Sequence, residues 1–269
     1  MNASARLTTL TRLGFAARGL LYLVIAFLVL RGGRAEDPSG ALQVLASGAG
    51  KWLLILMTAG LLAYGLWRLA DAALNIERHP DGSKGLGERL GAAASGLVHL
   101  FLAWQAVRLI RGTASSSSGG GGGGAEQGAQ TALGLPGGAL LLLLGGLVLL
   151  GVGLYQLIKA YKTSFRKHLD ARVANESWVK WVGRLGYAAR GLVFLITGYF
   201  LLQAGLDEQA SEAGGMREAL AWLTNPWDSI VAVGLMMFGI FSLIEARYRV
   251  IHDVPVEGAA RAARSKLPV

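Results

Sequence analysis

Six apolar runs alternate with polar stretches along the chain, at residues 13–30, 52–74, 90–110, 138–158, 185–204 and 229–246. Each is close to the roughly 20 residues that a helix rising 1.5 Å per residue needs to cross about 30 Å of hydrocarbon. The pattern predicts six membrane-spanning helices, an all-α fold, and no separate soluble domain, because the runs use up nearly all the apolar residues. Composition agrees: 53% of the 269 residues are hydrophobic and 16% charged, against roughly 25% charged in soluble domains.

The runs are related to one another. Residues 12–20 read RLGFAARGL, residues 89–97 RLGAAASGL and residues 184–192 RLGYAARGL, each opening an odd-numbered run. The even-numbered runs align through Gly65, Gly153 and Gly239, followed by an aromatic two positions on (Trp67, Tyr155, Phe241). Self-similarity of this kind marks an internally repeated protein. Three two-helix repeats follow: residues 1–77, 78–163 and 183–250, with a basic-aromatic linker at 164–182 and a basic tail at 251–269. A short apolar piece near Gly40, Gly128 and Gly214 lies between the two helices of each repeat. Repeat two is longer by a Ser/Gly-rich stretch in the loop 114–125, read as a flexible insertion that the fold does not need. The first run followed by small residues imitates a secretory signal. Its signature recurs inside the chain, so it is read as a structural helix. Since each repeat crosses twice, all three share one orientation, and a pseudo-threefold six-helix bundle of parallel repeats is expected.

Charge gives the orientation. The net charge is +9, which raises the possibility of nucleic-acid binding until its distribution is considered. With the N-terminus inside and the spans alternating, 20 of the 26 Lys and Arg fall on the inner side, leaving Arg31, Arg34, Lys51, Arg108, Arg111 and Arg217 outside. Acidic residues divide nine to eight, giving +11 inside and −2 outside. The positive-inside rule then places both termini in the cytoplasm. The basic stretches, including Lys159, Lys162, Arg166, Lys167 and Arg172 interleaved with Tyr161, Phe165, Trp178 and Trp181, read as contacts with anionic lipid headgroups and not with nucleic acid.

Candidate chemistry is sparse. Gly14 and Gly19, Gly91 and Gly96, Gly186 and Gly191, with Gly198, place small residues on helix faces, where they let backbones approach closely; a ligand cavity along that face is the competing reading. Arg18 and Arg190 lie six residues beyond the first Arg of the signature, about 9 Å further in, where a charge needs a partner or must snorkel. Asp71 and Glu245 share one position in the return helices, which suggests pairing Arg18 with Asp71 and Arg190 with Glu245, either within a repeat or to a neighbouring one. In repeat two the Arg becomes Ser95 and the acid becomes Lys159, so both members change together. The pairs read as helix clamps, or alternatively as a proton or ion relay. His99 is the one His inside a span and, with Ser95 and Lys159, makes repeat two the polar repeat; a lone His of this kind is usually a hydrogen-bonded packing residue. No Cys is present, and no catalytic set, metal-ligand spacing or phosphate loop is discernible, so enzymatic activity has no support and no cofactor is assignable.

The repeated signature R-L-G-x-A-A-[RS]-G-L-[LV]-[YHF], with return helices ending near a Gly-x-aromatic, resembles the bacterial domain of unknown function 1206 over roughly residues 12–250. That resemblance implies six-span proteins made of three two-helix units in the bacterial inner membrane, and implies no activity. Repeat two departs from the pattern at Ser95 and His99 and in its insertion. Two functional classes stand: a non-enzymatic bundle binding lipid or a membrane-protein partner, and a path for a small solute, ion or proton along the bundle axis.

Overall fold

The structure is a computed structural model, and it describes residues 3–32, 35–48, 50–77, 79–80, 82–113 and 123–250. The tail 251–269 and most of the insertion, 114–122, lie outside the described residues. Helices account for nearly everything else: α1 (Ala3–Gly32), α2 (Pro38–Leu45), α3 (Gly50–Leu74), α4 (Ser83–Ile110), α5 (Gly123–Leu133), α6 (Gly138–Lys162), α7 (Ala171–Ala174), α8 (Ser177–Leu206), α9 (Met216–Trp222) and α10 (Trp227–Tyr248). No β-strand occurs among the described residues. The six long helices α1, α3, α4, α6, α8 and α10 contain the six apolar runs and are long and apolar enough to cross a membrane. They extend beyond the runs, because the polar and basic residues flanking each run are good enough helix formers to continue it. Residues 123–125, read above as part of the insertion, belong to α5.

The short helices α2, α5 and α9 fill the connection inside each repeat, where a short apolar piece was expected. Pro38 begins α2, and Asp37 caps it by accepting the Gly40 N–H at 2.7 Å, which satisfies one of the free donors of a helix start. At the opposite end, called here the linker end, the chain passes between repeats. Asn75 and Thr163, both at φ 52°, turn the chain out of α3 and α6. The second linker is folded and does not simply lie on a headgroup surface as expected: Phe165 is fully buried, stacks on Tyr187 with ring centres 5.2 Å apart, and fills the space beside Gly183. Its backbone is tied to the end of α10, with Asp170 N–H donating to Tyr248 C=O at 2.9 Å and Val250 N–H to His168 C=O at 2.8 Å. Tyr161, Trp178 and Trp181 remain exposed.

Helix packing follows one rule three times. A Cβ placed on Gly19 would lie 2.8 Å from the Gly239 carbonyl oxygen, and one on Gly239 would lie 2.9 Å from the Gly19 oxygen. Gly96 faces Gly65 in the same way at 3.0 Å each, and Gly191 faces Gly153 at 3.0 and 2.9 Å. In every case the leucine four residues on from each glycine covers the other glycine: Leu243 and Leu23, Leu69 and Leu100, Leu157 and Leu195. The return helix of each repeat therefore packs on the first helix of the next, and repeat three closes back onto repeat one. Lipid removes the hydrophobic drive between helices, so close backbone approach at glycine is what makes such contacts favourable.

Contacts inside the repeats differ. In repeat one, Gly14 sits against Tyr64 and Gly60 against Ala17; in repeat three, Gly186 sits against Phe238 and Gly234 against Ala189. At the matching places in repeat two, Gly91 has nothing within 4 Å of an added Cβ, Ala94 is exposed, and Val148 is 63% exposed. The helices α4 and α6 share no extended packed face, whereas α1 packs on α3 and α8 on α10. The six spans thus run α4–α3–α1–α10–α8–α6, an open arrangement in place of the closed ring of three equal repeats. The physical cause is visible in the sequence of repeat two: Val148 stands where Gly60 and Gly234 let the helices approach. The most buried spans are α1 and α10, and α6 is the least. Tyr22, Tyr187, Phe238 and Phe241 fill the space between α1, α8 and α10, with ring centres 4.8–5.7 Å apart.

Candidate functional site

The register of α1 on α10 decides where Arg18 goes. One residue before Gly19 and six residues after Gly239, the two helices bring Arg18 and Glu245 together at 2.5 Å, with both side chains almost fully buried (7% and 3% exposed). Arg18 uses its remaining donors on Ser242 Oγ at 3.1 Å and Tyr64 Oη at 2.8 Å. Its guanidinium also lies over the faces of Phe15 and Phe238, 4.6 and 5.1 Å from their centres. A buried charge needs this degree of satisfaction to be tolerated.

The partner differs from the one expected, Asp71. Asp71 belongs to the return helix of repeat one, which packs on repeat two, whereas Glu245 belongs to the return helix of repeat three, which packs on repeat one. Asp71 turns to its own loop: it accepts from the Glu77 N–H at 2.8 Å, faces Arg68 at 3.4 Å, and meets His79 Nε2 at 3.0 Å. His79 Nδ1 in turn reaches Glu88 at 2.8 Å. Arg190 likewise does not pair with Glu245. Its guanidinium is held by the faces of Phe194, Phe238 and Tyr22 at 4.8, 4.9 and 5.8 Å, and its Nε is buried without a hydrogen bond.

Beyond Glu245 the charges alternate outward along the linker end. Arg249, one turn on in sequence, donates to the second Glu245 oxygen at 2.5 Å and to Glu77 from two nitrogens; Glu77 lies 3.9 Å from Arg68. Burial works to raise the Glu77 carboxyl, but the Arg249 charge outweighs it and holds the group down to about 2. Burial also works against the charge on Arg249, and Glu77 with Glu245 more than offsets it, so its affinity for its proton is raised. His168 is pushed down to about 3 by burial and then by the nearby Arg249 charge. Asp71, Glu77 and His79 each bring one ligand-type atom within 4.8 Å of the others, a spacing a metal ion could use. The carboxylates already accept from Arg249, Arg68 and the Glu77 amide, and the two His79 ring nitrogens lie against Asp71 and Glu88.

Among the described residues, Ser95, His99 and Lys159 make no ion pair with this chain of charges. His99 is buried, with Nδ1 2.7 Å from the Ser95 carbonyl oxygen and its ring 4.4 Å from that of Tyr64. Lys159 lies 4.6 Å from the centre of the Tyr187 ring. Tyr64, Ser242, Arg249, Glu77 and Arg68 were not among the residues the sequence singled out. Two of their contacts were available in it, Glu245–Arg249 at i,i+4 and Arg68–Asp71 at i,i+3 on a helix face.

Six long apolar helices carrying one signature three times define a multi-pass membrane protein with internal repeats. The family described as Domain of Unknown Function (DUF1206) matches residues 13–75, 90–163 and 185–249, and the chain belongs to that family. It is similar to the uncharacterized protein YxxB of Bacillus subtilis (strain 168), with 31% identity over 251 residues that cover 88% of this chain and 90% of that one. No solved structure matches the chain.

Proposed function

We propose that this chain is a non-enzymatic protein of the bacterial inner membrane that holds phospholipid in a lateral cleft between α4 and α6. One observation carries the reading. The interface that closes repeats one and three is missing from repeat two, where Gly91, Ala94 and Val148 stand free. Apolar faces held apart inside a bilayer do not stay empty, and acyl chains are the medium that surrounds them. The chain of ion pairs at the linker end serves as the clamp that holds the open arrangement together. It joins α1, α3 and α10 with the start of α4, and a guanidinium separates each of Glu245, Glu77 and Asp71 from the next. Arginine does not release its proton, so this chain is poorly suited to be a proton relay. The aromatic filling between α1, α8 and α10 is likewise the opposite of what a polar path along the axis requires. The linker end faces the cytoplasm in this reading, as its excess of Lys and Arg favours, with Trp178, Trp181 and the neighbouring bases at the level of anionic headgroups.

The test is the phospholipid that copurifies in a mild detergent, counted per protein by mass spectrometry. Ala94→Trp with Val148→Trp fills the cleft, and Leu66→Trp on an exposed face of α3 serves as control. The double variant is expected to lose at least one lipid that the wild type and the control keep. Equal lipid counts in all three would refute the cleft, and a copurifying protein in place of lipid would replace the occupant with a membrane-protein partner.

A further inference from the structure

The three glycine interfaces superpose residue for residue, so one position can be compared across all of them. One residue before the first glycine and six after the second stand Arg18 and Glu245 between repeats three and one, Ser95 and Asp71 between repeats one and two, and Arg190 and Lys159 between repeats two and three. The first is a buried ion pair. The third places two cations where that pair has a cation and an anion.

Neither cation of the third interface has a substitute of its own: Lys159 feels the Glu245 charge only from beyond 4.0 Å, and that carboxylate is already taken by Arg18 and Arg249. Among the described residues no acidic group lies within 4.0 Å of Lys159 or Arg190. Their charged ends lie on aromatic faces, Lys159 on Tyr187 and Arg190 on Phe194, Phe238 and Tyr22, and the Arg190 Nε is buried with no acceptor. Half-buried cations without a close counter-charge are costly inside a membrane. An anion supplied from outside the chain would remove that cost.

We propose that Lys159 and Arg190 bind the phosphate group of an anionic ligand at the α6–α8 interface, in the place that Glu245 fills at the α10–α1 interface. The chemistry suits phosphate: a guanidinium offers a planar fork of donors and an ammonium a compact charge. The surroundings favour a phospholipid headgroup as its source. Lys159 is three residues from the end of α6, about 5 Å along the helix, and Leu154, Tyr155 and Ile158 beside it are exposed to the surroundings. A net-anionic headgroup such as phosphatidylglycerol supplies the missing charge, whereas phosphatidylcholine carries its own cation. The lipid source rests on the lipid-binding reading above; the pairing of two cations does not.

The experiment compares wild type, Lys159→Glu and Arg190→Gln, each checked for folding by its thermal midpoint in detergent. Native mass spectrometry after incubation with equal phosphatidylglycerol and phosphatidylcholine gives headgroup preference, and calorimetric titration with orthophosphate gives affinity for the free anion. Lys159→Glu recreates the acid–Arg pairing of the neighbouring interface with Arg190, so it is expected to raise the midpoint while closing the site. A wild-type preference for phosphatidylglycerol on the order of tenfold, the scale of one lost charge-assisted contact, that disappears in both variants supports a headgroup site. Orthophosphate binding that disappears in both variants, without any lipid preference, supports the site with free phosphate as its source. A phosphatidylglycerol preference that persists in both variants overturns the site and leaves the lipid cleft standing. A wild type with neither preference nor orthophosphate binding also overturns it, whatever the total lipid count shows about the cleft.

Discussion

Replacing Glu245 by Gln keeps the shape of the side chain and removes one charge from the centre of the clamp. Glu245 takes Arg18 on one oxygen and Arg249 on the other, each at 2.5 Å, and is 3% exposed. After the change Arg18 retains only the neutral partners Ser242 and Tyr64, while Arg249 retains Glu77. The uncompensated charge is therefore Arg18, buried to 7% exposure. Leaving one member of a buried pair alone costs about 3–5 kcal/mol, roughly a hundred- to several-thousand-fold in the folding equilibrium at 1.4 kcal/mol per factor of ten. The measurement is reversible unfolding in mixed detergent–SDS micelles, followed by helical circular dichroism. The double variant Arg18→Met with Glu245→Leu removes both charges and is expected to recover more than half of the loss, because apolar groups of similar volume replace a buried pair at little cost. A loss below about 1 kcal/mol for Glu245→Gln, the range of an exposed pair, would refute the reasoning. So would a double variant less stable than the single one.

Three further outcomes follow from the same geometry. Gly14→Ala puts a methyl 2.7 Å from the Tyr64 backbone and is expected to destabilise by about 1–3 kcal/mol as α1 and α3 part. Gly91→Ala, at the same position of repeat two, meets nothing and is expected to stabilise by up to about 1 kcal/mol through helix propensity; the same unfolding assay reads both. Acid should loosen the linker end in two stages. His168 has its folded value lowered to about 3, so its contribution is fully present above the ordinary His range near 6.5 and is lost as pH falls from there; Glu77, lowered to about 2, adds a loss beginning near 4.5. The expected record is a thermal midpoint that falls from about pH 6.5 downward, with the first stage absent in His168→Gln; a midpoint flat between pH 7 and 4 would contradict it.

Much of the fold is legible in the sequence, because membrane spans declare themselves by length and apolarity and the repeat declares itself by the signature. The glycines Gly19, Gly96 and Gly191 stand out for the same reason. What the sequence hides is which repeat each helix packs against. Asp71 and Glu245 occupy one repeat position, and that position alone does not say whether each meets an Arg of its own repeat or of a neighbouring one. The return helices in fact lie on the next repeat, which gives Glu245 to Arg18 and leaves Arg190 opposite Lys159. That handover depends on backbone geometry summed over whole helices, which no local pattern encodes. Arg249 and Glu77 escape notice because they stand beyond the apolar runs, where charged residues ordinarily face solvent. The opening of repeat two rests on single exchanges such as Val148 for Gly60 and Gly234, whose meaning emerges only when the equivalent glycines are seen in contact.

The central claim is that repeat two is open where repeats one and three are closed, and the absence of native Cys makes disulfide trapping in native membranes the direct measurement. Ala17→Cys with Gly60→Cys spans the repeat-one interface, where a Cβ added to Gly60 meets the Cβ of Ala17; a slight parting of the helices seats a bond whose Cβ atoms sit about 3.8 Å apart. Ala94→Cys with Val148→Cys is the equivalent pair in repeat two. Rapid oxidation of the first pair and none of the second is expected. Equal cross-linking of both would mean that α4 and α6 pack as their counterparts do, and the lateral cleft would not exist.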